Sequence, residues 1–209
     1  MTTLILKILL AYLLGSVSGS LLVGRLKQVD IREQGSGNAG GTNAFRTQGL
    51  VFALGVVIID LGKGVLAAWW IPALPVLGLG QAVSPGTLAL FCGFAAVVGH
   101  CFPVWHGFRG GKGAGTAVGV LAVIQPWALL PLLSVWLVTL VLSGYVGLST
   151  VLAGFSLVPA ALWLGDDAFL VFAIVLALFL LFTHRENVRR LKDGTENRFD
   201  RVRLFARRH

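Results

Sequence analysis

Four apolar runs constrain this chain more than any other feature: Leu4–Val23, Leu50–Ile71, Leu88–Val104 and Phe169–Thr183. Each approaches the ~20 residues that an α-helix needs to cross the hydrocarbon of a bilayer. A content of 56% hydrophobic and only 12% charged residues, with a mean hydropathy of +0.84, excludes a soluble domain, whose charged fraction is about twice as large. No early apolar stretch ends in a small-residue cleavage site with a mature domain behind it, so the N-terminus reads as a retained first span. Between Ala114 and Leu164 the chain stays apolar and divides into about Ala114–Ile124, Trp127–Leu142 and Leu148–Leu164, with Gln125-Pro126 and Ser143-Gly144 as breakers. The first of these is too short to span unaided and reads as a helix whose end is buried among the others. The expected fold is therefore an all-α polytopic membrane protein of seven transmembrane helices, a single domain over residues 1–209 with a basic tail from about residue 184.

The distribution of cations tests the count, because alternate connections of a spanning protein must carry them. With the N-terminus outside, the cytoplasmic segments are Arg25–Gly49, Trp105–Gly113, the turn near Ser143–Gly147 and the tail from His184, and the first two and the tail hold the cations. The opposite side receives Pro72–Gly86 without charge, the Gln125-Pro126 turn, and Gly165-Asp166-Asp167 with acids alone. An even number of spans would separate the basic first loop from the basic tail. Seven spans with a periplasmic N-terminus and a cytoplasmic C-terminus thus organise the formal net charge of +8, and the tail reads as held against anionic lipid heads.

Within the spans, Gly15–Gly19–Gly24 and Gly115–Gly119 read as small-residue stripes that let helices approach closely. Asp60 and Lys63 lie three residues apart on one helical face, where each alone would cost several kcal/mol, so a structural ion pair is favoured over a catalytic role. Cys92 and Cys101 read as small buried residues with no disulfide framework around them.

The stretch Gly99–Thr116 interrupts this apolar chain with Arg109 and Lys112 among closely spaced glycines. Glycines uncover backbone N–H groups and admit positive φ, so a phosphate can approach while the cations supply countercharge. A nucleotide-hydrolysing P-loop is excluded, since the required glycine falls on His106 and Gly113 stands where Ser or Thr should follow the lysine. The alternative is a cytoplasmic hairpin, with glycines for the turn and cations for orientation.

Four polar clusters fall on the same expected face: Gly35–Arg46, Gly99–Thr116, Ser143–Thr150, and His184–Arg190 with Gly194 and Glu196. A loop with Ser36, Asn38, Thr42, Asn43 and Arg46 between glycines must line a wet cavity or be covered by protein. With Arg109 and Lys112 it suggests an anionic ligand carrying more than one phosphate. His184 and Asn187 are about one turn apart and share a helical face, so they can point into one cavity. The few carboxylates, Glu33, Asp60, Glu186 and Glu196, form no metal-ligand set, and no metal or other cofactor is expected.

These residues carry a resemblance. Ser36-Gly-Asn-Ala-Gly-Gly-Thr-Asn with Arg46, Asp60-x-x-Lys63-Gly, Gly99-His-x-Phe-Pro-Val followed by Phe-Arg-Gly-Gly-Lys-Gly, and His184-x-x-Asn-x-x-Arg-Leu with Gly194 and Glu196 resemble, in order and over nearly the whole chain, the bacterial acyl-phosphate:glycerol-3-phosphate acyltransferases. The resemblance implies a seven-span enzyme of the bacterial inner membrane with its active site facing the cytoplasm. It moves a fatty acyl group from acyl phosphate, not acyl-CoA or acyl carrier protein, to the 1-hydroxyl of glycerol 3-phosphate, giving lysophosphatidic acid and phosphate for phospholipid synthesis. The His-x-x-x-x-Asp pair of acyl-CoA-dependent glycerolipid acyltransferases is absent, because Trp105, Gly111 and Arg189 follow His100, His106 and His184 at that spacing.

Direct transfer from the activated donor fits these residues. Ser36, Lys112, His184 and Asn187 are the expected catalytic residues, and Asn38, Thr42, Asn43, Arg46, Arg109, Gly110, Gly111, Gly113, Thr150 and Glu196 the expected substrate and phosphate contacts. Arg46 and Lys112 would neutralise the leaving phosphate with help from the Gly110–Gly113 amides. The base is either His184 or the substrate's own phosphate. One departure stands in the turn Ser143–Thr150, where Gly147 occupies an expected serine position and Thr150 replaces the other, which puts that turn's phosphate contact in doubt. The expected partners are acyl phosphate, glycerol 3-phosphate and membrane lipid, with a peripheral acyl-phosphate-producing enzyme as a candidate and no nucleic acid. The rival class is a small membrane carrier for an organic phosphate, disfavoured because the polar clusters gather on one face and no inverted repeat is visible.

Overall fold

The computed structural model describes residues 1–75 and 83–199. Every regular element among them is helical. Ten α-helices follow one another: α1 Thr2–Gly15, α2 Gly19–Leu26, α3 Gly41–Gln48, α4 Leu50–Ala73, α5 Pro85–Cys101, α6 Ala114–Ile124, α7 Leu129–Ser143, α8 Val146–Leu164, α9 Asp167–Thr183 and α10 Arg185–Lys192. Part of the expected uncharged loop and the end of the basic tail, residues 76–82 and 200–209, lie outside the described residues. Four helices are long and apolar enough to cross a membrane, or six if each of two bent pairs counts as one span. With 11 residues, α6 extends only ~16 Å at 1.5 Å per residue, about half the hydrocarbon thickness.

The chain divides into two compact units, Met1–Gln125 and Pro126–His209. In the first, α4 packs against α1, α2, α3, α5 and α6, while α1 and α5 pack together. Close backbone approach makes these packings: a Cβ on Gly15 of α1 would strike the Ala96 backbone of α5, and one on Gly119 of α6 would strike the Leu61 backbone of α4. The apolar cluster Ile31, Ala44, Phe52, Ala53 and Val56 pins the loop before α3 onto α4, so the polar residues between Ile31 and Ala44 are carried on buried anchors.

The expected single span Leu4–Val23 is instead broken at Ser16–Ser18, where α1 and α2 meet at 42°. Such a break exposes backbone groups that hydrocarbon cannot satisfy, at several kcal/mol each. Here α4 satisfies them. Lys63 Nζ donates to the Val17 carbonyl at 2.7 Å, and the Gly19 N–H donates to Asp60 Oδ1 at 3.2 Å. Asp60 and Lys63 are themselves paired at 2.9 Å and almost fully buried, so the expected structural ion pair is present and holds the break. A second buried cation, Lys7 of α1, was not anticipated; its ammonium donates to the Pro72 carbonyl at 2.7 Å, near the C-terminal end of α4.

In the second unit α8 packs against α7 and α9, and α10 against both α8 and α9. Gly144 and Gly165 end α7 and α8 in the left-handed conformation, and Asp166 caps α9 by accepting the Phe169 N–H at 2.9 Å. Helix α7 leaves Leu130, Leu133 and Leu137 exposed, the surface of a lipid-facing helix. The chain bends by 56° between α9 and α10. The tail that follows docks on its own unit: the Phe199 N–H donates to the Gly144 carbonyl at 2.9 Å, and Arg198 Nε donates to the Ser143 carbonyl at 3.0 Å. The expected lipid-held tail is therefore anchored to protein as far as Phe199.

Candidate active site

In the first unit the site is built from two glycine-rich loops. Ser36 is exposed at a turn between Gly35 and Gly37, both at positive φ (+57° and +70°). The turn is held from inside by Asn43. Its Oδ1 accepts the Ser36 N–H at 3.0 Å, and its Nδ2 donates to the carbonyls of Ile31 and Gln34 at 3.1 and 2.9 Å. Asn43 is 1% exposed, and these bonds make it the staple that shapes the Ser36 loop. Asn38 and Thr42 are half-buried beside it, and Arg46 is exposed one turn along α3.

Upstream, Arg32 grips Asp30 through both carboxylate oxygens, the shortest contact being 2.6 Å, and also donates to the His106 carbonyl at 3.3 Å. Hydrogen bonds from Arg32 hold the Asp30 carboxyl below the usual carboxylate range, with a smaller contribution from the charge of Arg109. This clamp ties the first loop to the second.

The second loop runs from Phe102 to Gly113. Gly107 and Phe108 take positive φ, and Gly113 does so at +90° as the N-cap of α6. Lys112 is half-buried beside that helix N-terminus, while Arg109 is exposed. Two of the amides expected to bind phosphate are used by the loop itself: the Gly110 N–H donates to the Cys101 carbonyl at 3.2 Å and the Gly111 N–H to the His100 carbonyl at 3.1 Å. The loops meet at Gly111, where a methyl group would stand 3.0 Å from the Ala39 carbonyl. Ser36 and Lys112 are thus carried by packed neighbouring loops, and Arg46 by the helix that follows the first of them.

In the second unit His184 is buried at the bend between α9 and α10. Its Nδ1 lies 2.8 Å from the Leu180 carbonyl, a group that only accepts, so Nδ1 donates a proton to it. A backbone carbonyl thus orients this histidine. Asn187 Nδ2 donates to Glu196 Oε1 at 2.6 Å, and Arg190 Nε donates to Glu196 Oε2 at 2.7 Å. Glu196 therefore holds Asn187 and Arg190 together. Gly147 is explained too: a Cβ there would stand 2.7 Å from Asn187 Cβ and 2.8 Å from its amide. The position that departs from the expected serine is the one that accommodates Asn187. Thr150 is 6% exposed, and its hydroxyl donates to the Val146 carbonyl at 2.9 Å and accepts from Trp136 Nε1 at 3.3 Å, so it braces α7 against α8. Among the described residues no three His, Cys, Asp or Glu side chains group as a metal-ligand set.

The residue that sequence reasoning missed is His100. It was part of a quoted motif but received no role, although an ionisable side chain within an apolar run, near Asp60 and Lys63 in kind, was the available signal.

Long apolar helices carrying glycine-rich loops with Arg46, Arg109 and Lys112 on or beside them define the class of integral membrane proteins. The family model for glycerol-3-phosphate acyltransferase matches residues 5–194. The glycerol-3-phosphate acyltransferase of Chlorobium luteolum is 40% identical, covering 95% of this chain and 97% of its own, and that of Bacillus velezensis is 42% identical, covering 90% and 94%. The crystal structure of PlsY (YgiH), an integral membrane glycerol 3-phosphate acyltransferase, in its glycerol 3-phosphate form superposes with a TM-score of 0.82 at 35% identity, covering 94% of this chain and 95% of that one. Its lysophosphatidic acid form gives 0.81 at 34%. The chain belongs to the glycerol-3-phosphate acyltransferase family and is an integral membrane enzyme of the PlsY type. This sets aside the carrier alternative.

Proposed function

We propose that the acyl donor is an acyl phosphate and that the protein transfers its acyl group to the 1-hydroxyl of glycerol 3-phosphate, releasing lysophosphatidic acid and inorganic phosphate. The observation that supports this best is Lys112, between two glycines at the N-terminus of α6 and packed beside the Ser36 loop. A lysine at the positive end of a helix suits an oxyanion whose charge grows as the phosphate leaves. Arg46 and Arg109 add countercharge, and Ser36, Asn38 and Thr42 fix the glycerol phosphate. Asn43 keeps that loop in shape. The donor is already activated, so the hydroxyl attacks the acyl carbon directly, the C–O bond to phosphate breaks, and no enzyme-bound acyl intermediate forms.

His184 and Asn187 orient the hydroxyl or the carbonyl. The base is His184 or the substrate's own phosphate, which serves without a protein group. We further propose seven spans, with α6 as the short one, the N-terminus outside and the chemistry on the cytoplasmic side of a bacterial inner membrane. Trp69 and Trp70 near the end of α4, Trp127 before α7 and Trp163 at the end of α8 support this topology. All are more than half exposed and lie at the helix ends away from the cationic loops, as interfacial aromatics do.

The test uses purified protein in lipid with labelled glycerol 3-phosphate and either palmitoyl phosphate or palmitoyl-CoA. Lysophosphatidate formed from the acyl phosphate alone is the expected result, with Lys112→Ala lowering kcat at least about 100-fold, the size of losing one charge-stabilising donor. Equal product from palmitoyl-CoA would overturn the choice of donor.

A further inference from the structure

His100 has no part in the chemistry just described, yet it sits where three elements meet. Its side chain is 4% exposed. Nδ1 lies 2.8 Å from Lys63 Nζ and 3.4 Å from Asp60 Oδ1. An ammonium has three protons and no acceptor, and Lys63 has three acceptors around it: Asp60 Oδ1, the Val17 carbonyl and His100 Nδ1. Nδ1 therefore accepts, and the ring proton of His100 is on Nε2. The Nε2 edge is turned to Gly111, where a methyl group would strike Nε2 and stand 2.8 Å from Cε1. The carbonyl of the same residue accepts the Gly111 N–H at 3.1 Å. One residue thus holds Gly111 by its ring and by its backbone, immediately before Lys112.

The broken first span does not require this histidine. The Val17 carbonyl is satisfied by Lys63 and the Gly19 N–H by Asp60, whatever occupies position 100. What the ring adds is a wall against the Gly111 turn, fixed in rotation by the ion pair behind it.

We infer that His100 is a positioning residue for Lys112: the Asp60–Lys63 pair locks the imidazole, and the imidazole sets the Gly110–Gly111 turn so that Lys112 leaves the loop in one direction. This rests on Lys112 being the phosphate ligand proposed above. It also assigns Asp60 and Lys63 a second task, since the pair that holds the bend between α1 and α2 indirectly sets the geometry of the glycine-rich loop.

The experiment is a mutant cycle between the ring and the glycine. Gly111→Ala puts a methyl group where the ring stands. His100→Asn keeps a polar group near the place of Nδ1 and removes the Cε1 and Nε2 atoms that the methyl would meet. In full-length protein reconstituted in lipid, Gly111→Ala is expected to lower kcat/KM about 100-fold, the scale of displacing a reacting group by about 1 Å. The double variant is expected to exceed the product of the two single effects about tenfold, within the range of coupling between touching residues. Each single variant should divide its loss between kcat and KM as Lys112→Arg does, a pattern that general destabilisation would not reproduce. Strictly multiplicative losses, or a different division between kcat and KM, would overturn the positioning role. If Gly111→Ala does not accumulate, recovery of folded protein in the double variant reads the same coupling, and no recovery overturns it. Full activity in Lys112→Ala would remove the phosphate-ligand reading and this inference with it, whereas a dead Lys112→Ala beside an uncoupled cycle removes this inference alone.

Discussion

The two units hold their polar residues in opposite ways. In the first, the glycine-rich loops rest on charges buried inside apolar helices: Asp60, Lys63 and His100, all at most 4% exposed. In the second, Asn187 is held by Glu196, which reaches it from beyond the end of α10 with Arg190 as the second partner. A charge buried in the membrane interior allows few alternatives, because a lost partner leaves an ion or a carbonyl in hydrocarbon. The second brace is partly covered as well: the Glu196 side chain is 5% exposed and that of Arg190 31%, but both belong to the short α10 and the residues after it. The contrast is one of support: the loops of the first unit rest on side chains of long apolar helices, and Asn187 of the second on a short helix and the residues after it.

Substitutions can break this contrast, and the largest expected effect is in the first unit. Lys63→Met leaves Asp60 unpaired and the Val17 carbonyl unsatisfied, and should cost about 3–5 kcal/mol, seen as loss of monodisperse protein in detergent and a lowered melting midpoint. An unchanged melting midpoint would remove the distinction between the units. Next is Gly147→Ser, which forces Asn187 aside. Crowding of a packed site costs about 1–3 kcal/mol, and the expected readout is a clear fall in kcat with smaller loss of folded protein. Glu196→Gln should follow: it keeps an acceptor for Asn187 and weakens the pairing of a buried carboxylate with Arg190, so activity falls and stability, read from the melting midpoint, drops by about 1–2 kcal/mol.

The smallest effect concerns the Asp30–Arg32 clamp, which is about a third exposed at the acid. The folded-state pKa of Asp30 is depressed, so its contribution is present above the unfolded value of about 3.9 and is lost as pH falls through the lower folded value. Asp30→Asn should therefore flatten the fall in melting midpoint between pH 5 and pH 3 by less than about 1 kcal/mol. An equally steep fall in the variant would show that the clamp is not what titrates.

Much of the site was legible as residue types and little of it as roles. For Asn43, Thr150 and Glu196 the sequence could not show their internal partners, because the groups that bind phosphate or a polyol are the same groups that satisfy turns, helix ends and neighbouring amides. Which of the two uses a side chain has depends on what stands within about 3 Å of it, and for Asn43 that is the Ile31 and Gln34 carbonyls. The acceptors of the Gly110 and Gly111 amides were hidden for the same reason: they are the carbonyls of Cys101 and His100, at the end of the preceding helix.

The apolar runs and the sites of their breakers followed from the sequence by itself, because hydrocarbon accepts only long, self-satisfied apolar helices and cations stay in water. So did the set of phosphate-suited residues, since glycine and cation chemistry is local. The tertiary structure alone decided that the first span is bent, that a lysine and an aspartate of α4 satisfy the bend, and that Gly147 makes room for Asn187. Each of these joins groups about 40 residues apart in the chain, and such meetings are set by packing between helices that the pattern within any one helix does not record.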